Sequence, residues 1–139
     1  MAVLRTLGMI KPDAVAAGST GAILAMIEAA GLRVVALRMT RLARAEAEAF
    51  YAVHSQRGFY GELCEFMSSG PIVAMVLEGP DAIVAWRTLM GPTDSTKAGP
   101  DTVRGRYGTS VSLNAVHGSD APETAAIEIP FFFPVRELS

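Results

Sequence analysis

The spacing of apolar residues changes several times along the chain, and three stretches have the pattern of β-strands. Residues 3–10 are β-branched and apolar, and residues 32–40 alternate between their two faces. Residues 71–77 are nearly all apolar, which is typical of a buried strand. Pro12 closes the first strand because it lacks the N–H group that a sheet ladder needs.

Helical spacing of apolar residues, or residues typical of helix ends, marks further segments. Ile23 and Ile27 share one helix face, and Gly31 is a suitable C-terminal stop. In the same way, Trp86 and Met90 form the core side of a later helix. The predicted helices span about 18–30, 44–54, 61–68, 81–90 and 120–129.

Residues 91–119 are rich in Gly, Thr, Ser, Pro and Asp and are weakly periodic, which predicts a long loop. A loop of that length in a compact domain is usually functional. The apolar run 131–133 after the last helix is predicted to be the final strand. The order of elements predicts an α+β chain with a βαββαβ sandwich, in which a four-stranded antiparallel sheet carries helices on one face.

Length and composition favour one globular domain, 1–139, of 14.7 kDa. Half of the residues are hydrophobic, 19% are charged and the mean hydropathy is +0.32, a balance that argues against disorder. No apolar run is long enough for a membrane span, and the N-terminus is not typical of a secretory signal. A single cysteine, Cys64, excludes an intramolecular disulfide and a cysteine-based zinc site. These features predict a soluble cytoplasmic protein.

The formal net charge of −2 limits the ligands that the chain can bind through charge alone. Proteins that bind the nucleic-acid backbone carry a basic excess, which this chain lacks, so no nucleic-acid partner is predicted. A phosphorylated ligand must therefore meet a local cluster of polar groups. Neither a P-loop nor a protein-kinase glycine loop occurs in the sequence. The candidates for such a cluster are Lys11, Arg87, Thr93, Arg104 and Arg106.

Two histidines and one phenylalanine are candidates for chemistry or binding, each with a structural alternative. His117 has small residues after it, and a neutral imidazole is a competent nucleophile at pH 7. Taken alone, the residues around His117 are more typical of a loop with a solvent-exposed histidine than of a nucleophile. His54 lies one helical turn from Tyr51. The two side chains could bind one phosphate together, but the simpler interpretation is a half-buried helix face. Phe59 suits either stacking on a base or core packing.

Residues 114–120, Asn-Ala-Val-His-Gly-Ser-Asp, resemble the active-site signature of the nucleoside diphosphate kinases, N-x-x-H-G-S-D. The likeness runs from Arg5 to about Phe133, nearly the whole chain, and favours the functional interpretation of His117. It implies the ferredoxin-like form of the βαββαβ fold. The other segments that match, in order and spacing, are 10–14, 50–54, 66–71, 77–79, 89–93 and 102–104.

The resemblance implies an enzyme that transfers the γ-phosphate of a nucleoside triphosphate to a nucleoside diphosphate. His117 would take the phosphate as a phosphohistidine and pass it on in a ping-pong mechanism with broad base specificity. Ser119 and Glu128 would hold the imidazole in orientation. Lys11 and Tyr51 complete the catalytic set that the family implies.

The family also implies which residues contact the nucleotide. Phe59 and Val111 would enclose the base, Leu63 would border it, and Lys11 and Asn114 would hold the sugar hydroxyls. Mg²⁺ would bridge the phosphates, bound through their oxygens and water rather than in a site made of protein ligands alone. The implied phosphate contacts are Lys11, Tyr51, His54, Arg87, Thr93 and Arg104.

Several positions depart from the family pattern without removing a catalytic group. Gly58 stands where proline is usual, Asp94-Ser95 replaces a common Asn-Pro, and Asp101 replaces a frequent glycine, which adds negative charge near the phosphates. The family assembles as tetramers or hexamers built from dimers, so a homo-oligomer is expected. Two rival functions stay open: a nucleotide-binding module without turnover, and a phosphohistidine donor to protein partners.

Overall fold

One antiparallel sheet forms the centre of the structure, a computed structural model that describes residues 3–138. Its strands are β1 (Val3–Ile10), β2 (Arg33–Thr40), β3 (Ile72–Pro80) and β4 (Val116–Gly118). The strand order is β2-β3-β1-β4, so β1 and β3 lie in the middle. These two strands pair along their whole common length, from Val3 opposite Pro80 to Ile10 opposite Val73.

Helices fill the connections between the strands. They are α1 (Pro12–Ala16), α2 (Thr20–Ala29), α3 (Arg44–Phe50), α4 (Tyr60–Met67), α5 (Ala82–Met90), α6 (Val103–Tyr107) and α7 (Pro122–Phe132). Short 3-10 turns occupy Ala52–His54, Ser95–Lys97 and Val135–Glu137. The five predicted helices are confirmed as α2, α3 with the turn after it, α4, α5 and α7. The short helices α1 and α6 were not predicted, and α6 lies within the segment 91–119 that was expected to be a loop. Proline suits the first position of α1, where an N–H group is not needed.

Both faces of the sheet are covered, which corrects the expectation of helices on one face. Alternate residues of β3 face opposite sides, and all six from Ile72 to Leu77 are buried. On one face Met75 and Leu77 pack with α2 and α5. On the other face Ala74 and Val76 pack with α3, α4 and the end of α7. A strand that is apolar at nearly every position must be covered on both sides.

The final strand lies earlier than predicted, inside the segment 91–119. β4 occupies Val116–Gly118, and α7 continues through Phe132, so the strand expected at 131–133 is wrong. Pro130 does not end α7, because the Phe133 N–H still donates to the Ile129 carbonyl at 2.9 Å. Phe132 and Phe133 are buried in the second core, and this packing explains why these two residues are apolar without being in a strand. Phe131 is 39% exposed and packs edge-on against Phe50.

The connectivity β1-α2-β2-β3-α5-β4 is the predicted βαββαβ order, and with this strand order it is the ferredoxin-like fold. The fold puts the short β4 at one edge of the sheet, against the end of β1. Within residues 3–138, no helix is long and apolar enough to cross a membrane.

Candidate active site

A cleft of about 790 Å³ lies where the end of β1, the turn between α3 and α4, the segment 91–114, β4 and α7 meet. One end, called here the polar end, is formed by Lys11, Arg104, Asn114 and His117. The other, the apolar end, is formed by Phe59, Leu63, Val111 and Leu113. All but one of the residues to which the family resemblance assigns a role line the cleft: Lys11, Tyr51, His54, Phe59, Leu63, Arg87, Thr93, Arg104, Val111, Asn114, His117 and Glu128. Arg106, a candidate from the sequence alone, does not line it, and its Nε donates to the Pro100 carbonyl at 2.8 Å.

The exception is Ser119, which is fully buried behind the cleft and completes a chain of hydrogen bonds to His117. The Leu7 N–H donates to Ser119 Oγ at 3.3 Å, and this hydroxyl donates to Glu128 Oε1 at 2.9 Å. The same carboxylate oxygen lies 3.0 Å from His117 Nε2. The backbone of β1 thus orients a serine, which orients a glutamate, which orients the imidazole.

This arrangement selects one tautomer of His117. An ionised carboxylate only accepts hydrogen bonds, so the proton of the neutral ring lies on Nε2. Among the described residues, none forms a hydrogen bond with Nδ1. The lone pair of Nδ1 is therefore available to a ligand in the cleft.

The residue that leads into β4 has an unusual backbone conformation. Ala115 has a φ of +72°, a left-handed value that costs a residue with a side chain about 1 kcal/mol. Two hydrogen bonds hold it there: the Lys11 N–H donates to the Ala115 carbonyl at 2.8 Å, and the Ala115 N–H donates to Asp13 Oδ2 at 3.1 Å. The end of β1 and the start of α1 therefore fix where β4 and His117 begin.

A buried lysine forms the floor of the polar end. Lys11 is only 8% exposed, and its Nζ donates to Asn114 Oδ1 at 2.9 Å. The Asn114 amide in turn donates to the Thr93 carbonyl at 3.1 Å. Burial, and then the charge of Arg104, lowers the pKa of Lys11 from 10.5 to about 8, against the opposing charge of Asp13. A buried cation with this little negative charge around it favours an anionic ligand.

Arg104 ties the segment before β4 together through backbone carbonyls. Its Nε, Nη1 and Nη2 donate to the carbonyls of Asn114, Gly91 and Val116 at 3.3, 3.0 and 2.9 Å. Burial, and then the charge of Arg87, lowers the pKa of Arg104 to about 10. The guanidinium is thus still a cation at neutral pH, held rigidly beside Lys11.

Side chains from the end of α3 form the wall next to His117. Phe50 packs edge-on against the imidazole, with 5.5 Å between ring centroids. The Tyr51 hydroxyl is buried and has no hydrogen-bond partner among the described residues. Burial, and then the charge of Glu128, raises the pKa of Tyr51 above its ordinary value, so the hydroxyl stays protonated. A buried donor without a partner beside a cleft is suited to an incoming acceptor.

The apolar end has few polar contacts. Phe59 and Val111 are 48% and 55% exposed, although both are large and apolar. Phe59 stands just before α4 and packs against His54, with 5.6 Å between ring centroids. Val111 belongs to a tight turn that the Leu113 N–H closes by donating to Ser110 Oγ at 2.9 Å. Exposed aromatic and aliphatic surfaces of this kind suit a flat ring.

Two residues with structural links to His117 received no site role from the sequence. Asp13 lies within a segment that matches the family, but its bond to the Ala115 N–H depends on a backbone conformation that has no sequence signal. Trp86 is predicted only as a core residue, yet its Nε1 donates to the His117 carbonyl at 3.1 Å. Both contacts join segments that are distant in sequence.

Metal-binding side chains are sparse in the cleft. Among the described residues, no three or more His, Cys, Asp or Glu side chains are grouped so that they could hold a metal ion. The acidic residues that line the cleft are Glu62, Asp120 and Glu128, and Glu128 is engaged with His117 and Ser119.

Comparison with known proteins adds to this geometry. The family model described as nucleoside diphosphate kinase matches residues 4–138. The chain belongs to the nucleoside diphosphate kinase family. The nucleoside diphosphate kinase of Thiobacillus denitrificans is 57% identical over 138 residues, which are 99% of this chain and 97% of that relative. The one from Burkholderia thailandensis is 58% identical over 134 residues, 96% of this chain and 95% of the relative.

Solved structures of nucleoside diphosphate kinases have the same fold. The enzyme of Aquifex aeolicus superposes with a TM-score of 0.97 at 48% identity, over 99% of this chain and 100% of that chain. The halophilic enzyme of Halobacterium salinarum, solved in complex with CDP, gives 0.94 at 40% identity, over 99% of this chain and 92% of that chain. The predicted fold and the predicted enzyme family, phosphotransferases acting on nucleotides, are thereby confirmed.

Four positions that depart from the pattern of nucleoside diphosphate kinases do not line the cleft: Gly58, Asp94, Ser95 and Asp101. Asp94 accepts hydrogen bonds from the Thr96 N–H and hydroxyl at 3.0 and 2.7 Å, and thus caps the turn Ser95–Lys97. Asp101 is 98% exposed, lies 3.8 Å from Arg106 and is not among the lining residues. The concern that Asp101 adds negative charge to the phosphate site is therefore not supported by its position.

Proposed function

We propose that Nδ1 of His117 carries the phosphate when this chain converts a nucleoside diphosphate to a triphosphate. The observation that supports it best is the 3.0 Å contact between Nε2 and Glu128, because it directs the lone pair of Nδ1 into a cleft rich in cations. A neutral imidazole needs no further base to act as a nucleophile. The geometry thus supplies nucleophile, orientation and charge together.

The first half-reaction joins Nδ1 to the γ-phosphorus while the bond from that phosphorus to the β,γ-bridging oxygen breaks. The nucleoside diphosphate leaves with the bond electrons, and the ring gains a positive charge. Glu128 faces the Nε2 proton and offsets this charge. In the second half-reaction, a terminal phosphate oxygen of another diphosphate attacks the same phosphorus and releases Nδ1. One site therefore serves both substrates in turn, which gives ping-pong kinetics.

Phosphoryl transfer depends mainly on positioning and on stabilising the charge of the phosphate oxygens. Lys11 has Nζ hydrogens left after its bond to Asn114, and we assign it contacts with the phosphates and the sugar hydroxyls. Tyr51 offers its buried hydroxyl. Asn114 joins Lys11 at the sugar. The remaining phosphate contacts that we propose are His54, Arg87, Thr93 and Arg104.

The base is proposed to bind between Phe59 and Val111, bordered by Leu63. Stacking on such surfaces does not depend on the hydrogen-bonding edge of the base, so we infer broad base specificity. The Halobacterium salinarum relative was solved with CDP. A nucleotide with its base between Phe59 and Val111 would extend its phosphates toward His117.

The residues present fit Mg²⁺ that enters with the nucleotide. Glu62 and Asp120 line the cleft, but they belong to no cluster of metal-ligating side chains among the described residues. Bound through phosphate oxygens and water, the ion would neutralise part of the charge of the triphosphate. Lys11, Arg87 and Arg104 would meet the remaining charge.

We also propose a homo-oligomer, a tetramer or hexamer built from dimers, that uses the outer edge of β2. Leu37 and Met39 are mostly exposed on this strand, and an unpaired edge is a template for a strand of a second copy. Light scattering tests the assembly, and Leu37→Glu should reduce its mass.

We propose that residues 1–139 act as one domain in the cytoplasm, where nucleotide substrates are found.

A label-transfer experiment tests the proposed function. The protein is incubated with γ-labelled ATP and Mg²⁺, freed of nucleotide and examined for an acid-labile, alkali-stable label, after which GDP or CDP is added. We expect the label to appear on His117 and to move to the diphosphate, and His117→Ala to fold and to bind nucleotide without labelling. Turnover in His117→Ala would overturn the proposal. Nucleotide binding without label in the wild type would favour a binding module.

A further inference from the structure

The single tryptophan of the chain lies on the opposite side of the sheet from the imidazole of His117. His117 is the partner of Met9 across β4 and β1, and Met9 belongs to the core that faces α3, α4 and α7. Trp86 belongs to the other core and is fully buried in α5. It does not line the cleft. Its only polar atom, Nε1, donates to the His117 carbonyl at 3.1 Å.

Two glycines make room for the indole beside β4. Gly8 and Gly118 are partners across β1 and β4. A Cβ atom built on Gly118 would lie 2.6 Å from Trp86 Cδ1 and 2.7 Å from Nε1, and one built on Gly8 would lie 3.3 Å from Nε1. A side chain at Gly118 would displace the indole, and one at Gly8 would crowd both the indole and Met75, whose Cε would lie 3.0 Å from the added Cβ. The glycine that follows His117 in the signature therefore permits the close approach that the hydrogen bond needs.

β4 needs such support because it is short and lies at the edge of the sheet. It has three residues, and within the described part of the chain only β1 pairs with it. Arg87, next to Trp86 on α5, donates from Nη1 to the Gly118 carbonyl at 3.4 Å. Consecutive residues of one helix thus hold consecutive carbonyls of the strand that carries the nucleophile.

We propose that Trp86 is a positioning residue that holds the backbone of His117, so that Nδ1 is aligned with the phosphorus it attacks. The inference rests on the proposed function of His117. A misplacement of about 1 Å at a reacting atom can cost about a hundredfold in rate. Glu128 orients the ring from the cleft side, and Trp86 fixes the peptide from the other side of the sheet.

The proposal predicts an effect on turnover rather than on nucleotide binding. Trp86→Phe keeps an aromatic ring but removes the N–H group, and we expect kcat to fall about tenfold with KM within about twofold of the wild type. The rate of labelling of His117 by γ-labelled ATP in a single turnover should fall in parallel. Ile27→Val, which removes a methylene from the same core without approaching β4, is the matched control and should keep the wild-type kcat.

A second substitution keeps the test valid if Trp86→Phe folds poorly. Because the chain has one tryptophan, replacing it by benzothienylalanine changes a single position and exchanges the N–H for sulfur in a ring system of similar size. The same loss of kcat is expected. A kcat equal to that of the wild type in this form, or a fall matched by Ile27→Val, would overturn the role of Trp86. Absence of labelling in the wild type would instead overturn the proposed function itself.

Discussion

Side chains at the polar end of the cleft are buried or, for His117, partly buried, and they form hydrogen bonds. Those at the apolar end are exposed, apart from the partly buried Leu63, and are held by packing. Lys11 is 8% exposed and bonded to Asn114, while Phe59 is 48% exposed and, like Val111, has a side chain without hydrogen-bonding groups. The polar end also contains the left-handed Ala115, fixed from two sides. The two ends of one site are therefore organised by different interactions.

This difference matches the roles that we propose for the two ends. Attack on phosphorus requires a nucleophile and cations that are in place before the substrate arrives, because reorganisation during the reaction would add to the barrier. Binding of several bases requires surfaces that do not select one hydrogen-bonding edge. Substitutions at the polar end should therefore change kcat strongly, and substitutions at the apolar end should change KM moderately.

The largest effect is expected for Lys11→Met, which keeps the length of the side chain and removes its charge. We expect kcat/KM to fall about 100-fold or more, as for loss of a donor that stabilises transition-state charge. Lys97→Met, on the exposed turn Ser95–Lys97 outside the cleft lining, is the control and should leave kcat/KM unchanged. A decrease below about fivefold for Lys11→Met would mean that this cation is not used in catalysis.

The same lysine should affect stability in a pH-dependent way. Its pKa is about 8 in the folded protein and 10.5 as the ordinary value, so the unfolded chain binds the proton more tightly. The free energy of unfolding should therefore rise with pH between about 8 and 10.5, where the buried charge is lost. Lys11→Met lacks this increase. Urea unfolding of both proteins across that range measures it, and parallel pH profiles would contradict it.

Glu128→Gln should have the next largest effect, because it disturbs the tautomer of His117 while keeping the shape of the side chain. An amide is a weaker acceptor and cannot offset the charge that forms on the ring, so kcat should fall about 10–100-fold. Ser119→Ala acts one hydrogen bond farther away and should cost less. The rate of labelling in a single turnover measures both, and an unchanged rate in Glu128→Gln would contradict the orienting role.

How much of this could be predicted from sequence depends on the range of the interactions involved. The residues of the polar end could be predicted because each lies in a segment that matches the family: Asn114 and His117 in the seven-residue signature, Lys11 in 10–14 and Arg104 in 102–104. β4 could not be predicted, because its three residues, Val116–Gly118, are too few to show the alternation of apolar and polar residues that is typical of a strand. Its strand conformation depends on distant partners: the Lys11 N–H bonds to the Ala115 carbonyl before it, and the Ser119 N–H bonds to the Leu7 carbonyl after it.

The same limit explains the misplaced final strand. Phe132 and Phe133 are apolar because α7 ends in a core between the sheet and α3, and the local pattern cannot distinguish such a helix end from a strand. The hydrogen bond from Trp86 to His117 is hidden for a similar reason. A buried tryptophan is predicted from helical spacing, but the target of its N–H depends on two glycines from different strands.

Phe59→Ala probes the apolar end and should act mainly on KM. Loss of stacking on one base is worth about 1–3 kcal/mol, so KM should rise about 5–150-fold for every nucleotide. The kcat value should stay within about threefold, because the polar end is untouched. Val135→Ala truncates an exposed apolar side chain outside the cleft and serves as control. A rise in KM for one base only would contradict stacking as the mode of binding.

Gly58→Ala should have the smallest effect. The sign of its effect on the free energy of unfolding tests whether the apolar end is loosely held. A Cβ atom at Gly58 would meet no heavy atom of residues 3–138 within 4 Å, and the φ of Gly58 is not positive, so the folded state accepts alanine. Alanine reduces the conformational entropy of the unfolded chain, so the free energy of unfolding should rise by about 0.4–1 kcal/mol. The KM for nucleotides should fall slightly. Gly91→Ala is the contrasting control, since φ is +86° and a Cβ atom would lie 2.8 Å from Thr102 Oγ1. Urea unfolding should give opposite signs for the two variants, and destabilisation by both would mean that the turn before Phe59 is as tightly constrained as the polar end.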